Sequence, residues 1–473
     1  MKSNSFTDKF KTKYFKKGTL LTLSILAVII VIIGVNILVM YIPAKYTRID
    51  TTEQGLFSIS QQTHTLLDGL ADNITIYHLC SGAIEDENIS ELLIKYAAFT
   101  DKITISVIDT SLYPNFYADY TDESPSDNSL IVLGSKRSRV IDFYEIYTAS
   151  SSEYEYYGYY DIFNGEQMLT SAIDYVTTDI LPKIYNLEGH SEYEPTEELK
   201  REITNQNFEI EQLSLNGLES VPEDADCVMI FSPQRDISEA EFNILTQYSE
   251  NGGNLLIIAD YVSEDMPIFD RLLEKFGLSI VDGIVFEGDD SRYISSYPYF
   301  IYPLLISHTI TEPLISSNLH TLFPLACGIV ANDQADDSLT IESFVTPSES
   351  AYSKIDVNSE NFERTDEDIS GPFSFATAVS SQTGKMVLFS TSQFLDSNVN
   401  SSVAGANYDL FINSLAWICQ KESSVSVHPK NLLSTSIAVG SSISSIMFVI
   451  LVIIIPGVFI LTAFLVMRKR KHR

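Results

Sequence analysis

Apolar and polar positions change their period along this chain, and each change marks a different kind of element. From Thr19 to Ile42 there is no charge, and Leu, Ile and Val dominate. As a helix this run spans about 36 Å, more than the roughly 30 Å of bilayer hydrocarbon. It is too long for the apolar core of a secretory signal, and Val39-Met40-Tyr41-Ile42-Pro43 is a poor cleavage site. A second charge-free stretch, Asn431 to Met467, contains "IMFVILVIIIPGVFILTAFLVM". Residues 440–467 read as a second membrane helix, in which Pro456 is tolerable.

Between the spans the period shortens. "ITIYHL" alternates as a strand does, "ENISELLIKYAAFT" repeats as an amphipathic helix, and "KITISVIDT" alternates again. "NSLIVLG" and "RVIDFYEIY" read as a further pair of strands. This β-α-β-β-β order predicts a small, thioredoxin-like α/β unit over residues 46–179. The tyrosine-rich "SSEYEYYGYYDIF" reads as a covering loop with half-buried rings, with a binding surface as the alternative. The helix "NGEQMLTSAIDYVTTD" follows it.

Over residues 181–425 strands alternate with helices: "KIYNL", "EPTEELKREITNQ", "FEIEQLSL", "DCVMIFSP", "SEAEFNILTQYSENGG", "NLLIIAD", "PIFDRLLEKFG" and, later, "KMVLFST" and "YDLFINSLAWICQ". The continuous apolar strands belong to sheets covered on both faces. The expected architecture is an open, mainly parallel α/β sheet.

Charge orients the chain. Basic tails at 1–18 and 468–473 hold 11 of the 30 Lys and Arg residues and one of the 63 acids. The positive-inside rule then puts both termini in the cytoplasm and the large middle region outside a cell membrane. That region carries 19 basic against 62 acidic residues, so nucleic acid is an unsuitable partner. Cys80, Cys227, Cys327 and Cys419 are far apart and form no CxxC, which suggests neither a zinc site nor a dithiol redox site.

Candidate chemistry gathers in "KIYNLEGHSEYEP", a strand followed by a turn at Glu188, Gly189, His190, Ser191 and Glu192. Ligands of open α/β sheets bind beyond the carboxyl ends of the strands, where this turn falls. An extracellular hydrolase using His190 and nearby acids is one reading. It lacks a nucleophile: no G-x-S-x-G or G-x-C-x-G occurs, Cys227 begins its strand, and Ser232 is followed by Pro233, which has no N–H for an oxyanion hole. The other reading makes Gly189 the turn former and Ser191 or His190 the cap of the next helix, with any function limited to ligand or partner contact. "EGDDSR" and "NDQADDS" lack calcium-loop spacing. Without a Walker A loop or a dinucleotide fingerprint, no cofactor is expected.

The order of these features resembles the GldG-like family of ABC-transporter auxiliary proteins: an N-terminal span, the "EGHSE" turn, "SPQRDISEAEFNILTQYSENGGNLLIIAD", "SHTIT" and "NYDLFINSLAWI". The resemblance implies an external domain related to class I glutamine amidotransferases but lacking their nucleophile. It also implies a separate ATPase and a membrane permease as partners. The family's turn commonly reads G-H-G-E, and here Ser191 takes the second glycine's place. A non-enzymatic, twice-anchored subunit is the leading expectation. A stand-alone cell-envelope receptor is the rival.

Overall fold

The computed structural model describes residues 58–149, 156–179, 181–332, 338–359, 361–421 and 429–432, with isolated positions elsewhere. The expected membrane helices at 19–42 and 440–467, the tails, and most of "NDQADDS" lie outside these ranges. No helix among the described residues is long and apolar enough to cross a membrane. The contacts divide the chain into two units, one of Met1–Ile59, Asp86–Asp101 and Lys430–Arg473, the other of Ser60–Glu85 and Lys102–Pro429.

In the second unit, helix α1 (Gln61–Asp68) starts at Ser60, whose side chain accepts the N–H of Thr63. In the first unit, α2 (Glu87–Phe99) is capped by Asp86 and buries Ile89, Leu92, Leu93 and Tyr96, the stripe its spacing predicts.

The remaining elements belong to the second unit. Strands β1 (Ile74–Cys80), β2 (Ile103–Asp109), β3 (Leu130–Leu133) and β4 (Ser138–Ile141) form a sheet in the order β2-β1-β3-β4. β1 and β2 are parallel, and β3 is antiparallel to both of its neighbours. The second half of "RVIDFYEIY" departs from expectation. Asp142 accepts the N–H of Tyr144 and Glu145 reaches back to the N–H of Asp142, so Phe143–Ile146 closes into a helical turn. A capping box overrides the local alternation. The tyrosine-rich segment also differs from a half-buried cover: the rings of Tyr156, Tyr157 and Tyr159 are exposed.

Helix α3 (Gly165–Thr177) is buried on nearly every side, polar residues included. Glu166 accepts the backbone N–H of Ser60 and the hydroxyl of Thr63. Further along, Asn207 donates to the carbonyl of Ser171 and the carboxylate of Asp174. These polar groups of the helix are therefore paired with neighbouring elements.

The larger sheet contains β5 (Lys183–Leu187), β6 (Glu209–Leu213), β7 (Cys227–Phe231), β8 (Leu255–Ile258), β9 (Leu304–Leu305), β10 (Thr340–Thr346), β11 (Ala376–Ser380) and β12 (Lys385–Phe389), ordered β9-β10-β11-β12-β8-β7-β5-β6. β12, β8, β7, β5 and β6 run parallel, as the alternating pattern requires. The side from β9 to β12 pairs antiparallel, which the expectation of a mainly parallel sheet did not specify. For β11 and β12 the cause is local: they are joined by Ser381–Gly384, closed by an N–H of Ser381 bonded to the carbonyl of Gly384. So short a link makes a hairpin, since a parallel pair needs a crossover.

Each central strand is buried on both faces. Ile184, Cys227, Met229, Phe231, Leu256, Ile258, Val387 and Phe389 face one core, with α4 (Glu197–Asn205) and α7 (Ala406–Ile418). Val228, Ile230, Leu255, Ile257, Met386 and Leu388 face the other, with α5 (Glu239–Glu250) and α6 (Pro267–Lys275). Burying each such side chain stabilises the fold by about 1.5–3 kcal/mol. Hence these strands read as unbroken apolar runs, and their carboxyl ends form a single edge.

Candidate functional site

β5 delivers the "EGHSE" turn to that edge. The N–H of Glu188 still bonds to the carbonyl of Leu213, so pairing with β6 persists one residue past the strand. The chain then reverses at Gly189 (φ +129°) and Ser191 (φ +57°). A Cβ on Gly189 would meet nothing within 4 Å, so its requirement is conformational rather than spatial. Ser191 occupies the left-handed region that favours glycine.

Glu192 closes the turn on itself: one oxygen accepts the N–H groups of Gly189 at 3.0 Å and His190 at 2.7 Å. Its other oxygen lies 2.8 Å from His190 Nδ1. His190 Nε2 lies 3.1 Å from an oxygen of Glu241, on the first turn of α5. That oxygen also accepts the backbone N–H of Ser238 at 2.8 Å in the capping box of α5.

The imidazole is buried, with a carboxylate at each nitrogen. The hydrogen bond to Glu192 holds its pKa above the ordinary value near 6.5; burial opposes this and Glu241 adds to it. For Glu192 and Glu241 burial pushes upward, but hydrogen bonds win and both sit below the usual carboxylate range. For Glu192 these bonds come mainly from His190, and for Glu241 from Ser238 first and then His190. A carboxylate at each nitrogen favours the imidazolium form, which donates at both ends and has no lone pair to accept a proton.

A second tie joins the next three strands. Ser232 follows β7 with φ +52° and donates its hydroxyl to Asp260 at 2.5 Å. Asp260, just past β8, also accepts the N–H and the hydroxyl of Ser392 beyond β12, each at 2.5 Å. Gln234 links the two ties: its N–H donates to the carbonyl of His190 at 2.9 Å, and its side-chain amide donates to Ser232 Oγ at 3.0 Å. Ser232 is fully buried. The hydroxyl nearest in position to a strand-end nucleophile is therefore committed to a carboxylate, and the histidine to two others. A general-base pair needs the histidine and the hydroxyl bonded to each other.

Of the residues singled out from sequence, His190 and Glu192 meet directly, whereas Glu188, Gly189 and Ser191 are exposed around them. Neither His190 nor Ser191 caps the following helix; Thr196 does, accepting the N–H of Leu199. Sequence reasoning missed Glu241, Gln234, Asp260 and Ser392. Only Glu241 left a trace, as the final residue of the Ser238–Glu241 capping pattern, which says nothing of its second bond. Among the described residues no cluster of three or more His, Cys, Asp or Glu is arranged to hold a metal ion.

Residues 181–414 match the model of a family described as an ABC-type uncharacterized transport system. The match supports an auxiliary component of such a system; the narrower gliding-motility name goes beyond it. No curated protein matches the chain. Among solved structures, the mmIFT52 N-terminal domain is 13% identical, with a TM-score of 0.37, covering 51% of this chain and 98% of its own. A cytoplasmic protein from Salmonella typhimurium is 15% identical, with a TM-score of 0.33, covering 50% and 99%. A glutamine amidotransferase from Thermotoga maritima is 9% identical, with a TM-score of 0.31, covering 51% and 100%. The fold is mixed α/β with glutamine-amidotransferase-like neighbours, and likeness at this level carries no argument about activity.

Two predictions follow from the turn. Because His190 is held above its ordinary pKa, its stabilisation is complete below about pH 6.5 and is lost as pH rises through the folded-state value. The two carboxylates behave oppositely, contributing above about pH 4.5 and losing their contribution on acidification. His190→Gln should cost about 1–3 kcal/mol at pH 6. The gap to wild type should narrow toward pH 9 in unfolding of the purified protein, and a gap independent of pH would contradict this assignment. Ser191→Gly should stabilise by about 0.5 kcal/mol, strain relief outweighing chain entropy, and Ser191→Val should destabilise by about 1 kcal/mol or more. Equal melting of the two variants would show that the left-handed position is not limiting.

Proposed function

We propose that the chain is a non-catalytic, membrane-anchored auxiliary subunit of an ABC-type transport complex, working with a separate ATPase and a permease. The observation that carries this reading is the family match over residues 181–414. The chemistry of the edge supports it, because His190 and Ser232 are each bound to carboxylates rather than to each other. In this reading the apolar runs at 19–42 and 440–467 anchor the chain, both basic tails are cytoplasmic, and the acidic region between them is external. The sheet over residues 74–141, with β3 antiparallel to its neighbours, is the core of a thioredoxin-like unit covering 46–179; the larger sheet serves 181–425. The exposed Glu188, Gly189 and Ser191 contact the permease or the substrate.

Purification of the full chain in mild detergent, followed by mass spectrometry, should recover a multi-span permease and an ATPase in constant proportion. Recovery of the chain alone, from cells that express both, would refute the complex. Topology has its own test: Ser5→Cys, Ser150→Cys and Arg470→Cys variants, each in a Cys419→Ser background, treated with a membrane-impermeant maleimide in intact cells. Labelling is expected at position 150 alone; labelling at 5 or 470 would overturn the placement of both termini inside.

A further inference from the structure

Cys227 and Cys419 lie at opposite ends of the larger domain's sequence, and both are free thiols in the structure. The fold brings them to one place. Val228 pairs with Leu255 and Leu255 with Met386, so Cys227 stands level with Lys385 at the amino-terminal edge of the sheet, with β8 between them. Cys227 faces the core covered by α7. Strand alternation puts Lys385 on the same face as Val387 and Phe389.

Two lysines then fix the end of α7 over this edge. Lys385 Nζ donates to the carbonyl of Trp417 at 2.8 Å, which holds the last turn of the helix above the start of β12. On the far side of β7, Lys421 Nζ donates to the carbonyl of Gln206 at 2.6 Å and pairs with Asp174 at 3.2 Å. Cys419 lies midway between these two fixed points, and its N–H closes α7 on the carbonyl of Leu415 at 2.9 Å. The chain between the lysines must cross the start of β7, and Cys419 packs against the apolar cluster that contains Cys227. Burial, and then the neighbouring Cys419 thiol, pushes the Cys227 thiol well above its ordinary value.

We propose that Cys227 and Cys419 are a disulfide-forming pair that staples the last helix of the external domain to its central sheet. Cys419 is the half-exposed partner and Cys227 the buried one. The Cys419 thiolate attacks one sulfur of a disulfide oxidant and releases that oxidant's first thiol. Cys227 then attacks the Cys419 sulfur of the mixed disulfide and releases the second. Two electrons pass from the protein's thiols to the oxidant, and the two protons go to the released thiolates. Such oxidants prevail outside the cytoplasm, so the bond's presence in cells rests on the external placement proposed above. Beyond Cys419 the chain leads to the apolar run at 440–467.

The test uses the full-length protein in mild detergent, incubated with oxidised glutathione, blocked with a maleimide and digested without reduction. Mass spectrometry should find the Cys227 peptide joined to the Cys419 peptide, two hydrogens lighter than their sum. Reduction should separate them, and the linked protein should melt higher than its reduced form. Cys327→Ser should keep the link, whereas Cys227→Ser and Cys419→Ser should each abolish it. Glutathione attached to Cys419 while Cys227 remains unlinked in the folded protein would overturn the proposal. Thiols trapped in intact cells before lysis separate the two claims. A link already present supports both; one that forms only after purification supports the pairing and overturns the external placement.

Discussion

The carboxylate of Asp260 is the constraint on which the working edge of this sheet depends. Three hydrogen bonds reach it, one from Ser232 and two from Ser392, and they come from the residues that follow β7 and β12 on either side of β8. Asp260 is only partly buried, and these three donors give its carboxylate partners within the protein and hold the ends of the strands around it. Ser232 accordingly adopts a left-handed backbone, and Pro233 carries the chain away without an N–H to offer. The geometry that an elbow nucleophile needs is present in outline, but the carboxylate has taken its hydroxyl. Strain at this position therefore supports packing of strand ends instead of reactivity.

His190 extends the same logic one strand further. Its imidazolium lies between a carboxylate of its own turn and one belonging to α5, so the loop after β5 and the helix after β7 are clamped by a single charge. Gln234 connects the clamp to the Asp260 tie through the carbonyl of His190 and the hydroxyl of Ser232. The bonded groups thus run as a polar layer along the edge from β5 to β12. One imidazolium against two carboxylates leaves the His190 clamp with a net negative charge, in keeping with the acidity of the region as a whole.

Much of this was legible from sequence because it depended on local periodicity. The apolar runs of β7 and β8, the helical run of α5 and the turn glycine at 189 all follow from residues within a few positions of one another. What escaped was set by register between distant segments. Nothing near Glu241 shows that it will meet a histidine 51 residues earlier, and nothing near Asp260 shows that Ser392, 132 residues later, will share its oxygens. The adjacency of Cys227 and Cys419 is of the same kind, visible only once β12 and β7 are aligned and α7 is laid across them. Where a local pattern did mislead, as at Phe143–Ile146, a competing local signal was responsible: Asp142 and Glu145 formed a cap inside an alternating run.

The division of the turn into an inner and an outer layer fits the role proposed for it. His190 and Glu192 are turned inward and bonded, while Glu188, Ser191 and Tyr193 stand exposed on the same few residues. The exposed groups are carried on a backbone that two N–H bonds to Glu192 and one salt-bridged ring already hold in place. A contact surface prepared in this way gives up little conformational freedom when a partner arrives, so more of the interaction energy remains as affinity. Catalysis would require one of the inner groups to be released. Contact requires only that they stay where they are, and the bonding of the inner layer favours that use.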